Sequence, residues 1–325
     1  MKKWIAVLVV FTFLLGLSTI AVSAQNQKRT PEENFARMDK NGDKKLSLEE
    51  YVGNREGDKA DRAKETFKKL DMDYFYFPIE VENEKLETIV NAIRCMNYAG
   101  FFVTKPNKIK IVDYLDELDE LAEKIGSVNT VVIKDGKLKG YNTDGIGFVQ
   151  ALTDETGLDL SQNTFFIFGA GGASRALSAT LAYQGAKKLY LIDKFDEVST
   201  SLVNNINSKI RACAEFIPFE NAPVGQLLQK SNVLVNASGV GMYPKLEATP
   251  VEKSVLYKEL FVCDITYNPP KTRLLLDAEE VGCQIMNGIG MAINQGIKGF
   301  ALITGRPEPT EIMREAMLRI IENKV

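Results

Sequence analysis

The chain contains no histidine. That absence removes Ser-His-Asp and Cys-His nucleophilic catalysis and every histidine-ligated zinc or iron centre. Proton transfer is left to Lys, Asp, Glu, Tyr or Cys. Cysteine is scarce as well. Cys95, Cys213, Cys263 and Cys283 are scattered without a CxxC pair, which offers neither a zinc site nor a disulfide framework and predicts buried free thiols. No run of Lys or Arg stands out, and a formal net charge of -3 argues against a nucleic-acid surface.

What is present suits a globular protein. The 325 residues are 45% hydrophobic and 26% charged, enough for two domains with substantial cores. The one long hydrophobic run stands at the start. Lys2 and Lys3 form a basic n-region, Trp4 to Leu17 is almost wholly apolar, and Val22-Ser23-Ala24 ends in small residues. This is the layout of a secretory signal peptide cut after Ala24, or, uncleaved, of a membrane anchor.

"DKNGDKKLSLEE" follows. Asp39, Asn41, Asp43, Ser47 and Glu50 fall at the oxygen-ligand positions of a twelve-residue Ca²⁺ loop, with Lys45 supplying only its backbone carbonyl. The segment resembles an EF-hand, although Lys44 stands where the sharp turn expects glycine. "FKKLDMD" (Phe67 to Asp73) repeats "FARMDKN" and reads as a second hand broken off after two ligand positions.

From Tyr74 onward, short apolar runs alternate with amphipathic stretches, the texture of an α/β protein. "FYFPIEV" and "YAGFFVT" read as strands around a helix in "NEKLETIVNAIRCM". "NTVVIKDGKLKGYN" reads as a hairpin closed at Asp135-Gly136. A helix over "DGIGFVQALTDETG" leads to the linker "LDLSQN".

The next segment, "NTFFIFGAGGASRALSATLAYQGAKKLYLID", is strand, glycine turn, helix and strand. Gly169, Gly171 and Gly172 shape a turn that lets backbone approach a pyrophosphate, and the following helix, with Ala173 and Ser174 at its start, favours negative charge at its N-terminus. Asp193 lies where a carboxylate accepts hydrogen bonds from a ribose diol. Its charge repels a 2′-phosphate and favours NAD over NADP, whereas Lys194, with Lys187 and Lys188 nearby, leaves room for NADP.

Seven segments together resemble the shikimate dehydrogenase family, including its shikimate/quinate branch. They are "GFFVTKPNK", "IGSVNTVV", "GYNTDGIGF", "GAGGASRA", "VNASGVGM", "DITYNPPKTRLLLDA" and "NGIGMAINQG". The resemblance runs from about Tyr74 to the C-terminus. It implies reversible oxidation of the shikimate 3-hydroxyl to 3-dehydroshikimate with a nicotinamide cofactor and no metal. It implies that Lys108 and Asp144 handle the proton, and that Thr104, Asn129, Asp144 and Gln295 contact the polyol. Gly241, Met242 and Gly288 fall in segments on the cofactor side. Asn107 stands where most of the family has histidine. The family's first strand and helix, with a Ser-x-Ser pair that clamps the substrate carboxylate, have no counterpart before Tyr74, so the resemblance implies a truncated substrate lobe with exposed strand edges.

The expected architecture is α/β with two Rossmann-like lobes behind a small helical EF-hand-like segment. The leader covers 1–24, the EF-hand-like segment 25–73, the substrate lobe 74–150, the NAD(P)-binding lobe 151–286, and C-terminal helices in 287–325 pack back on the substrate lobe. The expected ligands are NAD or NADP, shikimate or quinate, and Ca²⁺, with no nucleic acid and a membrane only if the leader stays uncleaved. Two other functions compete: a dinucleotide-binding pseudoenzyme lacking the clamp, and an exported calcium-binding protein. The leader points to export, whereas the dehydrogenase chemistry points to the cytoplasm.

Overall fold

Two six-stranded sheets organise the described part of the chain. The computed structural model describes residues 3–8 and 67–322, apart from 80 and 97. The first sheet opens with a strand from the hydrophobic leader. β1 (Lys3–Leu8) lies between β2 (Tyr74–Ile79) and β3 (Tyr98–Val103), parallel to both. The slot expected to stand empty is therefore filled, and β2 and β3 are not bared along that side. A fully flanked parallel strand and the h-region of a leader are both short continuous apolar runs, so hydrophobicity cannot tell them apart.

The expected cleavage point at Ala24 and the calcium loop Asp39–Glu50 lie outside the described residues. "FKKLDMD" is not a failed second hand. Phe67 is buried, stacks on Tyr74 and Phe300, and belongs to a small core with Ala99 and Ile303. Its carboxylates fall in the turn that enters β2, where Asp71 takes a positive φ. Among the described residues no helix is long and apolar enough to cross a membrane, and no group of three or more His, Cys, Asp or Glu could hold a metal ion.

The rest of the first sheet follows local chemistry. α1 (Leu86–Arg94) buries Leu86, Val90 and Ile93, one helical face, against it. β4 (Glu117–Leu118) precedes α2 (Glu120–Ile125), which Asp119 caps by accepting from the Leu121 amide. β5 (Thr130–Lys134) and β6 (Lys137–Tyr141) form the expected hairpin, with positive φ at both Asp135 and Gly136. The sheet order is β2-β1-β3-β5-β6-β4.

α3 (Asp144–Thr156) leads to the second sheet. Its strands are β7 (Thr164–Phe168), β8 (Lys188–Ile192), β9 (Ala214–Phe216), β10 (Val233–Asn236), β11 (Phe261–Asp264) and β12 (Gln284–Met286). All pair in parallel, in the order β12-β11-β10-β7-β8-β9. α4 (Gly172–Tyr183) and α5 (Asp196–Lys209) cross between the first three strands, α6 (Val224–Leu228) precedes β10, and α7 (Arg273–Val281) connects β11 to β12. Every residue of β7 is buried, with Phe165 and Ile167 in one core and Phe166 and Phe168 in the other. A central strand covered on both faces demands such a run.

α8 (Ile289–Thr304) and α9 (Thr310–Glu322) close the chain. α8 reaches both sheets: Met291 joins the core packed on the second, while Phe300 and Ile303 pack with Phe67 and Ala99. Of the thiols, Cys213, Cys263 and Cys283 are buried and free as expected. Cys95 is exposed, a correction that follows from its place just past the C-terminus of α1, off the buried face.

Removal of residues 1–24, the outcome of signal-peptide processing, takes out a strand paired on both sides. With each ladder hydrogen bond worth about 0.5–1.5 kcal/mol net, the loss is a large part of a domain's stability. The shortened chain is expected to unfold at markedly lower temperature, with fast amide exchange in β2 and β3. Protection there equal to that of the full chain would show β1 to be dispensable.

Candidate active site

Lys108 and Asp144 come from different elements and meet directly. Lys108 lies within the turn that leaves β3 through Thr104, whose carbonyl accepts from the Asn107 amide. Asp144 is the first residue of α3, where the helix N-terminus favours its negative charge. The Lys108 Nζ donates to Asp144 Oδ2 at 2.5 Å. Lys108 keeps 22% of its side chain exposed against 9% for Asp144, so the amine faces outward and the carboxylate holds it from within.

Asn129 supports the pair from β5's entry. Its Nδ2 lies 2.9 Å from Asp144 Oδ1, 2.9 Å from Thr143 Oγ1 and 3.4 Å from Gln295 Oε1, and its Oδ1 accepts from the Thr143 amide and the Thr130 hydroxyl. Thr143 in turn donates from its hydroxyl to the Gln295 carbonyl at 3.0 Å, which ties α3 to α8. Asn142 accepts from the Asp144 amide and donates to Ser127, fixing the strand end from which α3 starts. The cluster thus presents one outward amine, a buried carboxylate and two amides, a set suited to hold a polyol and move one proton.

Next to Asp144, Gly145 lets α3 cross α4. A Cβ there would stand 2.0 Å from Thr180 Oγ1 and 2.4 Å from the Ala176 carbonyl. The Lys108–Asp144 pair is therefore carried against the helix that follows the glycine turn. That turn lies at the carboxyl end of β7. Connections from β7 run one way through β8 and β9 and the other way from β10 onward, so the crevice outside β7 and β10 is the topological switch point where α/β sheets bind ligands. Gly169 has a φ of +99°, and a Cβ on it would strike the Ala237 carbonyl at 2.7 Å. Around Gly171 and Gly172 a Cβ would meet nothing within 4 Å. The first glycine is required by packing, and the other two face the open space that a pyrophosphate needs.

Family models match here: "Shikimate dehydrogenase substrate binding domain" over 62–131 and "Shikimate 5'-dehydrogenase C-terminal domain" over 288–318. The chain is 42% identical to the shikimate dehydrogenase (NADP(+)) of Alkaliphilus metalliredigens over 254 residues, 78% of this chain and 88% of that one. The chain belongs to the shikimate dehydrogenase family. Among solved structures it is similar to shikimate 5-dehydrogenase from Listeria monocytogenes in complex with shikimate and NAD, with a TM-score of 0.73 and 39% identity over 79% of this chain and 90% of that one. It is also similar to quinate dehydrogenase from Corynebacterium glutamicum in complex with NAD, with a TM-score of 0.75 and 28% identity over 81% and 94%. The substrate-domain match reaches back to 62, so the stretch around Phe67 falls within the family's substrate-binding domain, where an EF-hand was expected.

The remaining candidate residues of this family member fall into clear groups. Ala173 and Ser174 lie in the first turn of α4, and the Ser174 hydroxyl donates to the Gly169 carbonyl, so it braces the turn. Asp193 accepts from the Ala170 amide at 2.8 Å and the Phe195 amide at 3.0 Å. A carboxylate has about four acceptor positions, so both oxygens can still take a hydroxyl. Lys194 sits over the Phe195 ring, its Nζ 4.6 Å from the centroid. Gly241 and exposed Met242 belong to the loop after β10, and Gly288 caps α8 against the Ile265 carbonyl, which a Cβ would approach to 1.9 Å.

Sequence reasoning passed over Arg175, and it noted Asn107 only as standing where most of the family has histidine. Arg175, in the first turn of α4, is half-buried with no side-chain partner among the described residues, and burial pushes its guanidinium downward from its ordinary value. A cation beside a helix N-terminus runs against the helix dipole, and that was the available signal. Asn107 is wholly buried, and among the described residues neither end of its amide has a partner. Such an amide costs about 1–3 kcal/mol.

Replacing Arg175 with Ala is expected to weaken dinucleotide binding by about tenfold, the scale of one charge-assisted hydrogen bond, while leaving the ligand-free melting temperature equal or higher. Titration calorimetry and thermal unfolding of the same sample check both halves. Unaltered affinity would remove Arg175 from the site.

Proposed function

We propose that the chain catalyses the reversible oxidation of the 3-hydroxyl of shikimate, or the corresponding hydroxyl of quinate, to the ketone of 3-dehydroshikimate or its quinate analogue. The observation that carries this reading is the Lys108–Asp144 pair, held by Asn129 and Gln295 beside the helix of a dinucleotide turn. A nicotinamide dinucleotide, when bound, supplies the hydride acceptor. The open space at Gly171 and Gly172 and the guanidinium of Arg175, unpaired among the described residues, suit its pyrophosphate, and Asp193 suits its ribose diol.

The chain's own residues account for the proton. For the oxidation Lys108 starts as the neutral amine: the substrate hydroxyl gives its proton to the Nζ, and the adjacent Asp144 carboxylate stabilises the resulting ammonium. In the reverse direction the same ammonium returns the proton to the carbonyl oxygen. Asn129, Gln295 and Thr104 orient the polyol so that only one hydroxyl reaches Lys108. The filled strand slot supports competence, because β1 pairs along β3, the strand from which the Lys108 turn departs. Between the cofactors, Asp193 favours NAD, since its carboxylate opposes the two negative charges of a 2′-phosphate at close range.

The test is shikimate- and quinate-dependent reduction of NAD⁺ and NADP⁺ by the full chain, followed at the nicotinamide absorbance. Lys108→Met is expected to lower kcat by about 10²–10⁴-fold, the usual worth of a positioned acid–base group, with the melting temperature retained. Binding of dinucleotide by the unaltered chain without turnover of either substrate would replace the dehydrogenase reading with that of a binding protein. Asp193→Asn is expected to raise the NADP⁺/NAD⁺ ratio of kcat/KM by at least about tenfold through removal of a like charge. An unchanged ratio would show that Asp193 does not read the ribose.

A further inference from the structure

Asp264 ends β11 with 1% exposure, next to Asn236, which ends β10 and is fully buried. Its Oδ2 accepts from Asn236 Nδ2 at 2.7 Å and from Thr272 Oγ1 at 2.8 Å, and its Oδ1 accepts from the Thr266 amide at 2.9 Å. Asn236 passes the connection on. Its Nδ2 also donates to the Val240 carbonyl, and its Oδ1 accepts from the Ser238 amide and hydroxyl. One carboxylate therefore anchors two loops: 237–249 after β10 and 265–272 after β11.

A third segment is drawn in. The Gly288 amide donates to the Thr266 carbonyl, and Asn287 Nδ2 donates to the Pro270 carbonyl, so the start of α8 rests on the second loop. The loops also touch one another, because Gly241 packs beside Thr272 and the Ala248 carbonyl. The first loop meets the glycine turn where Gly169 abuts Ala237. All the donors to Asp264 are neutral, and burial pushes its carboxyl upward from its ordinary value against their pull. A buried charge without a cation is an expensive tie, and a neutral amide would join two loops at lower cost.

The crevice has a direction. Asp193, on the β8 side, suits the adenosine ribose and the glycine turn suits the pyrophosphate, so the other half of a dinucleotide runs toward the β10 and β11 loops, on which the start of α8, the helix that carries Gln295, rests. We infer that Asp264 is a positioning residue, which fixes through Asn236, Thr266 and Thr272 the wall on which the nicotinamide end of the dinucleotide rests. The inference depends on the dinucleotide occupying the crevice as proposed above. The anchoring carboxylate takes no part in the proton transfer; it sets the distance between the hydride acceptor and the substrate carbon.

The test separates the nicotinamide half from the rest of the ligand. Asp264→Ala and the milder Thr272→Val are compared with the unaltered chain for kcat, for the fluorescence of bound reduced nicotinamide, and for inhibition by ADP-ribose, which lacks the nicotinamide. Asp264→Ala is expected to lower kcat by about 10–100-fold, the effect of a displacement near 1 Å at the reacting atoms, and to return the bound fluorescence toward that of free cofactor. Inhibition by ADP-ribose should stay unchanged, and Thr272→Val should show the same pattern more weakly. Loss of ADP-ribose inhibition in step with kcat, or no loss of kcat in either variant, would overturn the assignment. If Asp264→Ala does not fold, Thr272→Val decides by the same criteria. Were the unaltered chain to show neither turnover nor ADP-ribose inhibition, the functional reading itself would fail and this inference with it.

Discussion

The close crossing of α3 and α8 is the constraint on which the site depends. A Cβ at Gly147 would stand 2.5 Å from the Gln295 amide, and one at Gly290 would stand 2.9 Å from the Ala151 Cβ. Only glycines at these positions let two helices approach so nearly. The approach puts Asp144, at the head of one helix, within reach of Asn129 together with Gln295 from the middle of the other. Both helices also reach into the nucleotide-lobe core, through Phe148, Leu152 and Met291. Packing in one lobe therefore sets side-chain geometry in the other.

Around that crossing, polar groups are used sparingly and in sequence. Asn129 spends its amide on Asp144, Thr143, Thr130 and Gln295, so its orientation is determined from several sides. Asp144 is held by Asn129 and Lys108, and Lys108 alone of the three faces outward. A chain without histidine has few ways to present a mobile proton at a fixed place. A lysine oriented by a buried carboxylate at a helix N-terminus is one of them. The nucleotide side repeats this economy, with Asp193 gripping the glycine turn through the Ala170 amide and Ser174 bracing it through the Gly169 carbonyl.

Much of this was legible in the residues themselves. The glycine turn, the all-apolar β7 and the Asp135-Gly136 hairpin are local matters, set by backbone freedom and by the periods of burial, and they appear where the sequence puts them. The meeting of Lys108 with Asp144 was accessible only through the resemblance, since a lone lysine and a lone aspartate far apart in the chain carry no signal of their own. Residues at the N-terminus were read by composition, and there composition misled. Lys3–Leu8 has the hydrophobicity of a leader and the place of a strand, and the match to the substrate-binding domain takes in Phe67, which had looked like part of a calcium-binding repeat.

The sequence by itself determined which elements form and which chemistry the chain can carry, because helix, strand and turn preferences and the stock of titratable groups are local properties. Tertiary structure alone decided the partners. That β1 inserts between β2 and β3, that Asp264 ties together two loops, and that Asn107 is sealed with an unsatisfied amide all depend on segments distant in the chain meeting in space. Such meetings are fixed by the packing of whole sheets and helices, a sum over many weak contacts that no single stretch of residues encodes.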